Sequence, residues 1–374
     1  MRVLIADGDN FQALSLTRDL GLNCTVFNAG LTKFSCLSAL SRFSSGFIQY
    51  DDYDIHNFNK TIDQIIEKSI EVIIPTTERS CVIFNHHRKI LEDNSIIICC
   101  DYQSKLNLAF DKASTFNFCK THNFKTPKIS FSLTEALNFK GDRVVVKDSK
   151  SNNIINNKLK ESSPPKFIKK SELINFTIEK NQFYQEYIKG NSIGFFALTK
   201  SGKIISSYSH NRILDSNPSG SGSCVRNSVI DVPLKLLNLS KQIILKLNWN
   251  GPLMLEFLEI NGEFFLLEIN GRLWGSFALN SSSNLSFSKQ IINLFANKDV
   301  LNINHSNPKE TTLTNELLLI SRWIKILRGP NKFSSTKFPK KITILKELKY
   351  LLFSKKEVFT RRDYLVILRY LWIK

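Results

Sequence analysis

Apolar runs and helical patterns alternate along the first hundred residues of the chain. Four short runs are apolar at nearly every position, at residues 2–6, 24–27, 71–75 and 95–100. Strands that are apolar on both faces are typical of a parallel sheet covered by helices on both sides. Helical patterns over residues 10–20 and 78–91 separate the runs. The pattern therefore predicts successive βαβ units in an α/β domain.

The pattern becomes richer in strands after residue 108. The predicted elements are a helix from residue 108, a β run at 144–147, strands over 182–214 and a helix over 233–247. The apolar stretch LMLEFLEINGEFFLLEIN then covers residues 253–270. Its centre is Asn261-Gly262, a dipeptide that favours a type I′ turn, so the stretch is predicted to form a β-hairpin.

Polar side chains within this hairpin raise the question of what they bind. Glu256 and Glu268 lie on paired strands within reach of one another, and the alternation of side chains places Glu268, Asn270 and Arg272 on one face. A carboxylate removed from water needs a partner, so something cationic is expected between them. Two carboxylates and an amide oxygen form a set that suits Mg²⁺. A surface hairpin whose carboxylates pair with lysines is the alternative.

Length and composition exclude several classes of protein. A chain of 374 residues with 42% hydrophobic residues is expected to fold into two or three units. The absence of a signal peptide and of a long uncharged apolar run predicts a cytoplasmic protein that does not span a membrane. Seven cysteines without a CxxC motif favour reduced thiols over disulfides or zinc. No GxGxxG follows the first strand, which disfavours bound NAD.

The positive charge is concentrated near the C-terminal end. Residues 321–374 contain 15 lysines and arginines against 3 acidic residues, so they carry +12 of the formal net charge of +18. Two short helical patterns in this region, at 340–353 and 361–374, mix apolar and basic residues. Packing on the body of the protein, contact with an anionic membrane and docking to an acidic partner are the three alternatives for them. Nucleic acid is not an expected partner, because no RNA-binding motif is present.

The ordered motifs resemble those of the ATP-grasp superfamily. The chain contains Glu256, Glu268, Asn270 and Arg272 as E-x11-E-x-N-x-R, preceded by Lys112 in FDKAS, Lys147 in VVVKDS and the segment QEYIKG. The combination is most similar to predicted carboxylate-amine ligases, and its metal motif to that of biotin carboxylase and the carbamoyl phosphate synthetase large subunit. The resemblance covers about residues 1–300.

The resemblance implies an α/β fold of the α+β ATP-grasp type, with a division into three parts. An N-terminal parallel βαβ domain over residues 1–108 precedes an ATP-grasp domain over 109–300, and a basic helical extension follows over 301–374. Within the ATP-grasp domain, the expected parts are a small subdomain (109–184), a hinge (185–190) and a large subdomain (191–300).

The resemblance also implies a role for each matching residue. Lys112 and Lys147 match the lysines that contact ATP phosphates. The residues that match the adenine-binding segment are Gln185, Glu186, Tyr187 and Ile188. Glu256, Glu268 and Asn270 match the ligands of Mg²⁺, for which Mn²⁺ is an alternative. Arg272, and with it Lys147, matches a residue that stabilises the transferred phosphate. His210 and Arg212 lie in a strand that contacts substrate or triphosphate in family members, and a structural role is the alternative for His210.

The implied reaction joins a carboxylate to an amine through an acyl phosphate, with release of ADP and phosphate. Small-molecule acids and amines are the expected partners, and a homodimer is compatible with the sequence. Two alternatives stay open. The glycine-poor stretch DSKSNNIINNK after Lys147 favours a nucleotide-binding protein without ligase activity. Residues 321–374 favour a binder of anionic surfaces or nucleic acid, and contact with a lipid-linked substrate or with the inner face of the membrane is a further alternative for this region.

Overall fold

The computed structural model describes residues 1–150, 152–155, 158–161, 163–220, 222–298, 309–330, 338–364 and 366–369, with the backbone alone at 152–155 and 158–161. Its first unit is a five-stranded parallel sheet with the strand order β3-β2-β1-β4-β5. The strands are β1 Arg2–Ile5, β2 Thr25–Gly30, β3 Gly46–Gln49, β4 Val72–Ile74 and β5 Ile97–Ile98. The predicted parallel sheet is confirmed.

Helices cover both faces of this sheet. They are α1 Phe11–Leu20, a 3-10 helix Leu37–Leu40, α2 Asn59–Glu67, α3 Glu78–His86 and α4 Arg88–Asp93. The sequence pattern missed β3 and α2. β3 is a short edge strand of which only Ile48 is fully buried, so it lacks the long apolar run that identified the central strands.

The second unit has a four-stranded antiparallel sheet with the order β10-β7-β11-β6. Its elements are α5 Gln103–Phe110, α6 Lys112–Thr121, β6 Ile129–Ser130, α7 Leu133–Leu137, β7 Arg143–Asp148, β8 Asn152–Ile155, β9 Lys158–Glu161, β10 Lys166–Lys169, α8 Lys170–Leu173 and β11 Gln182–Glu186. The glycine-poor stretch after Lys147 contains β8, which pairs with β9 in a separate antiparallel hairpin. Apolar side chains of β7, β10 and β11 pack against α7 and α8 in a core of their own.

The third unit is a seven-stranded sheet with the order β16-β15-β12-β13-β14-β17-β18, in which the last pair alone is parallel. Its elements are β12 Asn191–Lys200, β13 Lys203–Leu214, β14 Val225–Val229, α9 Leu234–Leu247, β15 Gly251–Ile260, β16 Glu263–Asn270, α10 Ala278–Ser282, α11 Phe287–Phe295, β17 Thr312–Thr314, α12 Glu316–Arg328, α13 Thr343–Phe353 and β18 Lys355–Lys356. Trp274 is buried beneath this sheet, 4.7 Å from Phe196 between ring centres.

The C-terminal region packs on the rest of the molecule. β17 and β18 extend the large sheet, and the buried residues Val358, Val366 and Ile367 contact Leu14 and Leu40 of the first unit. The helix predicted at 340–353 is α13, whereas residues 365 and 370–374 of the second predicted helix lie outside the described residues. Within the described part of the chain, no helix has the length and apolar character needed to cross a membrane.

Candidate active site

The β15–β16 hairpin brings its two acidic residues face to face. Its turn has positive φ at both Asn261 (50°) and Gly262 (74°), as the predicted type I′ turn requires. The strand register shifts between Phe257↔Leu266 and Glu256↔Glu268, so that Leu267 is an extra residue in β16. This bulge sets Glu256 directly opposite Glu268.

The same row of residues continues across the sheet. Glu256 pairs with Gly194 of β12, and Gly194 pairs with His210 of β13. A Cβ atom at Gly194 would lie 2.7 Å from the Phe196 ring and 3.0 Å from the His210 ring. Glycine is therefore required for the two rings to close the space behind Glu256.

Glu256 is held at one of its two carboxylate oxygens. Its Oε1 accepts a hydrogen bond from Arg212 Nη2 at 2.6 Å and one from Ser192 Oγ at 3.3 Å. Burial raises the pKa of Glu256, but the charge and hydrogen bond of Arg212, with Lys147 and Ser192, outweigh burial and leave that pKa below its usual value. The carboxylate is thus kept ionised, and its contacts leave Oε2 for a further cation.

Asn270 supplies a buried oxygen next to this pair. The residue is 4% exposed, and its Oδ1 has no hydrogen-bond partner among the described residues. Its Nδ2 lies 3.8 Å from the sulfur of Met254. A buried carbonyl oxygen without a partner is unfavourable unless a donor or a cation satisfies it.

The donor set fits a hard cation. Glu256 and Glu268 provide carboxylate oxygens and Asn270 an amide oxygen, which are ligands that Mg²⁺ accepts together with phosphate and water. The described residues hold no group of three or more His, Cys, Asp or Glu side chains that could bind a metal. With two carboxylates and one amide, the candidate set suits an ion that also takes ligands from a bound phosphate.

Lys147 approaches these carboxylates from the second unit. It lies near the end of β7, opposite Phe183 of β11. The pKa of Lys147 is below its usual value, and burial is the largest cause. The positive charge of Lys112 also lowers this pKa, whereas the negative charges of Glu268 and Glu256 raise it. Lys112, Glu256 and Glu268 therefore lie near enough to Lys147 for their charges to act on its ammonium group.

Lys112 is placed by a short connection between α6 and the end of β7. The Lys112 amide donates to the carbonyl of Ser149 at 2.7 Å, and Ser149 Oγ donates to Asp111 Oδ1 at 2.6 Å. Asp111 also accepts from the amides of Ala113 and Ser114 at the start of α6. Lys112, at the start of α6, is thus held next to the end of β7, the strand that contains Lys147.

The segment predicted to bind adenine follows β11. Gln185 is 4% exposed, and its Oε1 has no hydrogen-bond partner in the described part of the chain. The Glu186 carboxylate accepts from the amides of Lys128 and Lys140, both at 3.4 Å, so its side chain is engaged within the second unit. Tyr187 and Ile188 are half-buried in the connection to β12.

Arg272 joins the hairpin to the first unit. Its Nε lies 3.7 Å from Glu78 Oε1, and its Nη1 donates to the carbonyl of Leu273 at 2.8 Å. Glu78 begins α3 and lines a cavity of about 880 Å³ between α3, α5 and α6. Asp111, which precedes Lys112 in the chain, and Lys150 also line this cavity, whereas Arg272, Lys112 and Lys147 are not part of its lining.

His210 lies behind the carboxylates. It is 3% exposed, its ring stands edge-on to Phe196, and its Nδ1 has no hydrogen-bond partner within the described ranges. Burial is the main reason that the pKa of His210 is well below its usual value, and the charges of Arg212 and Arg226 lower it further. Burial and these charges favour the neutral form of His210, which lies in the same row of the sheet as Gly194 and Glu256, and its contact with substrate stays a prediction.

Solved structures of several enzymes share this architecture. N5-carboxyaminoimidazole synthetase of Staphylococcus aureus aligns over 94% of this chain and 97% of its own, with 15% identity and a TM-score of 0.64. The biotin carboxylase domain of Hydrogenobacter thermophilus 2-oxoglutarate carboxylase, solved with MgADP, ADP and bicarbonate, aligns over 83% and 73%, with 15% identity and a TM-score of 0.61. For Rhizobium etli pyruvate carboxylase the values are 83% and 30%, with 13% identity and a TM-score of 0.61, so this chain spans less than a third of that protein.

The chain has the ATP-grasp fold. Comparison of its sequence with protein-family models and with curated proteins found no match. The resemblance inferred from the ordered motifs around Lys112, Lys147, QEYIKG and the E-x11-E-x-N-x-R hairpin is thus confirmed at the level of the three-dimensional fold.

The ATP-grasp fold of this chain also places residues at the site that the sequence did not indicate. Glu78 contacts Arg272, and Asp215 accepts from Arg212 Nη1 at 3.3 Å. Glu78 lies immediately after Thr77, the N-cap of α3, and so follows the carboxyl end of the parallel strand β4. Ligands commonly bind at the carboxyl ends of parallel strands, and this position was the sequence signal that could have identified Glu78 as a site residue. No sequence signal distinguishes Asp215 from other acids in loops.

Proposed function

We propose that the protein is an ATP- and Mg²⁺-dependent ligase that joins a carboxylate to an amine and releases ADP and phosphate. The observation that carries the proposal is the direct opposition of Glu256 and Glu268 on paired strands, beside the unpartnered oxygen of Asn270 and within range of the charge of Lys147. A phosphate–cation pair satisfies all of these groups at once, since the lysine needs an anion and the oxygens need a cation.

Each residue has a defined task in this proposal. Lys112 and Lys147 bind the phosphates of ATP, and the segment of Gln185, Glu186, Tyr187 and Ile188 binds adenine. Glu256, Glu268 and Asn270 hold Mg²⁺, which neutralises phosphate oxygens when bound. Arg212 fixes Glu256 through Oε1 and so orients its second oxygen.

The reaction has two displacement steps. A carboxylate oxygen of the acid attacks the γ-phosphorus of ATP, the bond from that phosphorus to the bridging oxygen breaks, and ADP leaves. The nitrogen of the neutral amine then attacks the acyl carbon, phosphate leaves with the bonding electron pair, and the amine loses a proton. Arg272 and Lys147 offer fixed positive charge to the phosphoryl group, because positioning and charge stabilisation dominate such transfers.

The cavity lined by Glu78, which lies 3.7 Å from Arg272, is where we place the acid and the amine. It holds about 880 Å³, a size that suits a small molecule. Its lining includes an acid, Glu78, and a base, Lys150. Substrates that carry both a carboxylate and an amino group are therefore the class to examine first.

An ADP-release screen tests this function. We expect Mg²⁺-dependent ADP release to rise above the rate without substrate for at least one pairing of an amino acid, sugar acid or small peptide with an amine. The same assay with Lys147→Met controls for contaminating ATPases, because that variant loses a phosphate contact. Tight Mg²⁺-ATP binding without ADP release for any pair would instead identify a nucleotide-binding protein without ligase activity.

We propose in addition that the C-terminal region lies against an anionic membrane surface. All three acidic residues within 321–374 point inward: Glu347, Glu357 and Asp363 are at most 5% exposed. The outer face is left with basic and apolar side chains. Those of α12 and α13 that are exposed include Ile324, Lys325, Leu327, Arg328, Leu345, Lys346, Lys349, Leu352 and Phe353. Each basic residue near an anionic leaflet contributes about 1 kcal/mol, and apolar residues add burial.

Vesicle flotation tests this surface. We expect the full chain to float with vesicles rich in phosphatidylserine at low salt, but not with neutral vesicles. Leu352→Ser with Phe353→Ser should abolish flotation, because these side chains are 69% and 85% exposed. Phe34→Ser, at a residue of the first unit that is 63% exposed, should leave it unchanged. Equal flotation of both variants, or none of the wild type, contradicts the proposal.

A further inference from the structure

Buried ionic contacts connect the C-terminal region to the candidate metal site. Glu347 of α13 is 5% exposed and accepts from Arg322 of α12, with Nη2 at 3.0 Å and Nε at 3.1 Å. Trp323 Nε1 donates to the other oxygen of Glu347 at 2.9 Å. Both acceptor oxygens are therefore used, and the Arg322 guanidinium is held in one orientation.

The orientation of Arg322 determines what its remaining nitrogen reaches. Nη1 donates to the backbone carbonyl of Asp215 at 2.8 Å, directly after β13. The side chain of that same Asp215 accepts from Arg212 Nη1 at 3.3 Å, and Arg212 Nη2 lies 2.6 Å from Glu256 Oε1. One continuous path of hydrogen bonds thus leads from α13, through the backbone carbonyl and the side chain of Asp215, to the candidate metal ligand.

We infer that Arg322 and Glu347 are positioning residues for the nucleotide and metal site: they fix Asp215, which holds Arg212 against Glu256. The expected effect on Mg²⁺-ATP affinity rests on the proposed function. The coupling of Glu347 to Glu256 through Arg322, Asp215 and Arg212 does not depend on that function. Outer contacts of this kind orient metal ligands, and their loss commonly weakens metal binding. The C-terminal region, beyond the reach of the sequence motifs, then forms part of the active-site framework.

A second acid of the same region offers a matched control. Asp363 is 0% exposed and pairs with Arg18 at 2.9 Å, much as Glu347 pairs with Arg322 at 3.0 Å. Asp363 also accepts from Ser41 Oγ and the Arg42 amide, so it attaches the C-terminal region to the first unit. These contacts do not include Arg212 or Glu256. Asp363→Asn should therefore loosen the region without disturbing the site.

The experiment compares Glu347→Gln with Asp363→Asn in the full chain. Calorimetry with Mg²⁺ and ATP should show affinity weakened by roughly 10-fold in Glu347→Gln, at the lower end of the effect of losing an outer contact of a metal ligand. Asp363→Asn should bind like the wild type, although both variants lower the melting temperature. If Glu347→Gln does not fold, Arg322→Lys serves instead, because it keeps the charge but loses the geometry that spans Glu347 and Asp215.

Hydrogen exchange provides a readout that needs no nucleotide. Amides in peptides covering residues 212–216 and 254–258 should exchange faster in Glu347→Gln than in Asp363→Asn. A wild type that binds no Mg²⁺-ATP, combined with this exchange pattern, would refute the proposed function and leave the coupling intact. Equal exchange and equal affinity in the two variants would overturn the inference.

Discussion

Glu268→Gln should weaken Mg²⁺-dependent ATP binding by roughly 100-fold or more, since a direct carboxylate ligand contributes at least as much as an outer contact. The substitution keeps the shape of the side chain and removes its charge. It also removes the group that most strongly raises the pKa of Lys147, so the lysine becomes easier to deprotonate. Calorimetry at fixed ATP with varied Mg²⁺ measures the effect, and ATP binding without the ion should change far less.

Glu263 provides the matched control for this prediction. It lies in the same strand, is 41% exposed, and forms ion pairs with Lys125 and Lys235 at the surface. Glu263→Gln removes an equal charge from the same hairpin, and exposed pairs of this kind contribute little to stability. Its Mg²⁺-ATP affinity should equal that of the wild type. Unchanged Mg²⁺-dependent binding in a folded Glu268→Gln variant would remove the metal assignment.

Arg272→Ala should lower kcat by roughly 100-fold or more, the scale seen when one preorganised donor to a developing charge is lost. The affinity for Mg²⁺-ATP should change much less, because Lys112, Lys147 and the candidate metal ligands remain. The measurement is steady-state ADP release with the acid and amine that give the highest rate. Arg272→Lys should recover only part of the loss, because a single ammonium does not reproduce the planar fork of the guanidinium.

The Arg272–Glu78 contact needs its own control. Glu78 is 4% exposed and lies 3.7 Å from Arg272, so Arg272→Ala also leaves a buried carboxylate without this partner. Glu78→Gln removes the ion pair and keeps the guanidinium, and we expect a smaller fall in kcat. If the two variants lose the same activity, the role of Arg272 is to pair with Glu78. Turnover that survives Arg272→Ala nearly intact means that the mechanism is misassigned.

Local signals were sufficient wherever a short stretch of sequence sets its own conformation. The Asn261-Gly262 turn and the parallel strands of the first unit were predicted correctly. Positive φ at a turn favours an Asn-Gly dipeptide, and burial on both faces of a strand requires a continuous apolar run, so both features can be read directly from the residues. Edge strand β3 was missed because it is only partly buried and therefore lacks a continuous apolar run. The domain boundaries and the ligand assignments at the site stay predictions.

The register of the hairpin shows where sequence reasoning ended. Folding of the hairpin about Asn261-Gly262 placed Glu256 and Glu268 within reach of each other, but the bulge at Leu267 decided that they stand directly opposite. A bulge depends on how neighbouring strands twist and pack, not on the identity of the extra residue alone. The position of His210 could not be predicted from the sequence either. His210 lies in the same row of the sheet as Glu256 because β12 pairs with β13 on one side and with β15 on the other.

By itself, the sequence determined the order of the ATP-grasp motifs, the hairpin and the excess of basic residues after residue 321, because each is a property of neighbouring residues. The tertiary structure alone decided which charges meet. Glu347 and Asp215 lie far apart along the chain, and Arg322 joins them only because α12 and α13 pack together against the end of β13 and the start of β14. Contacts between distant residues depend on the packing of whole elements, and burial then makes each pairing matter, since an unpaired charge in the interior is strongly disfavoured.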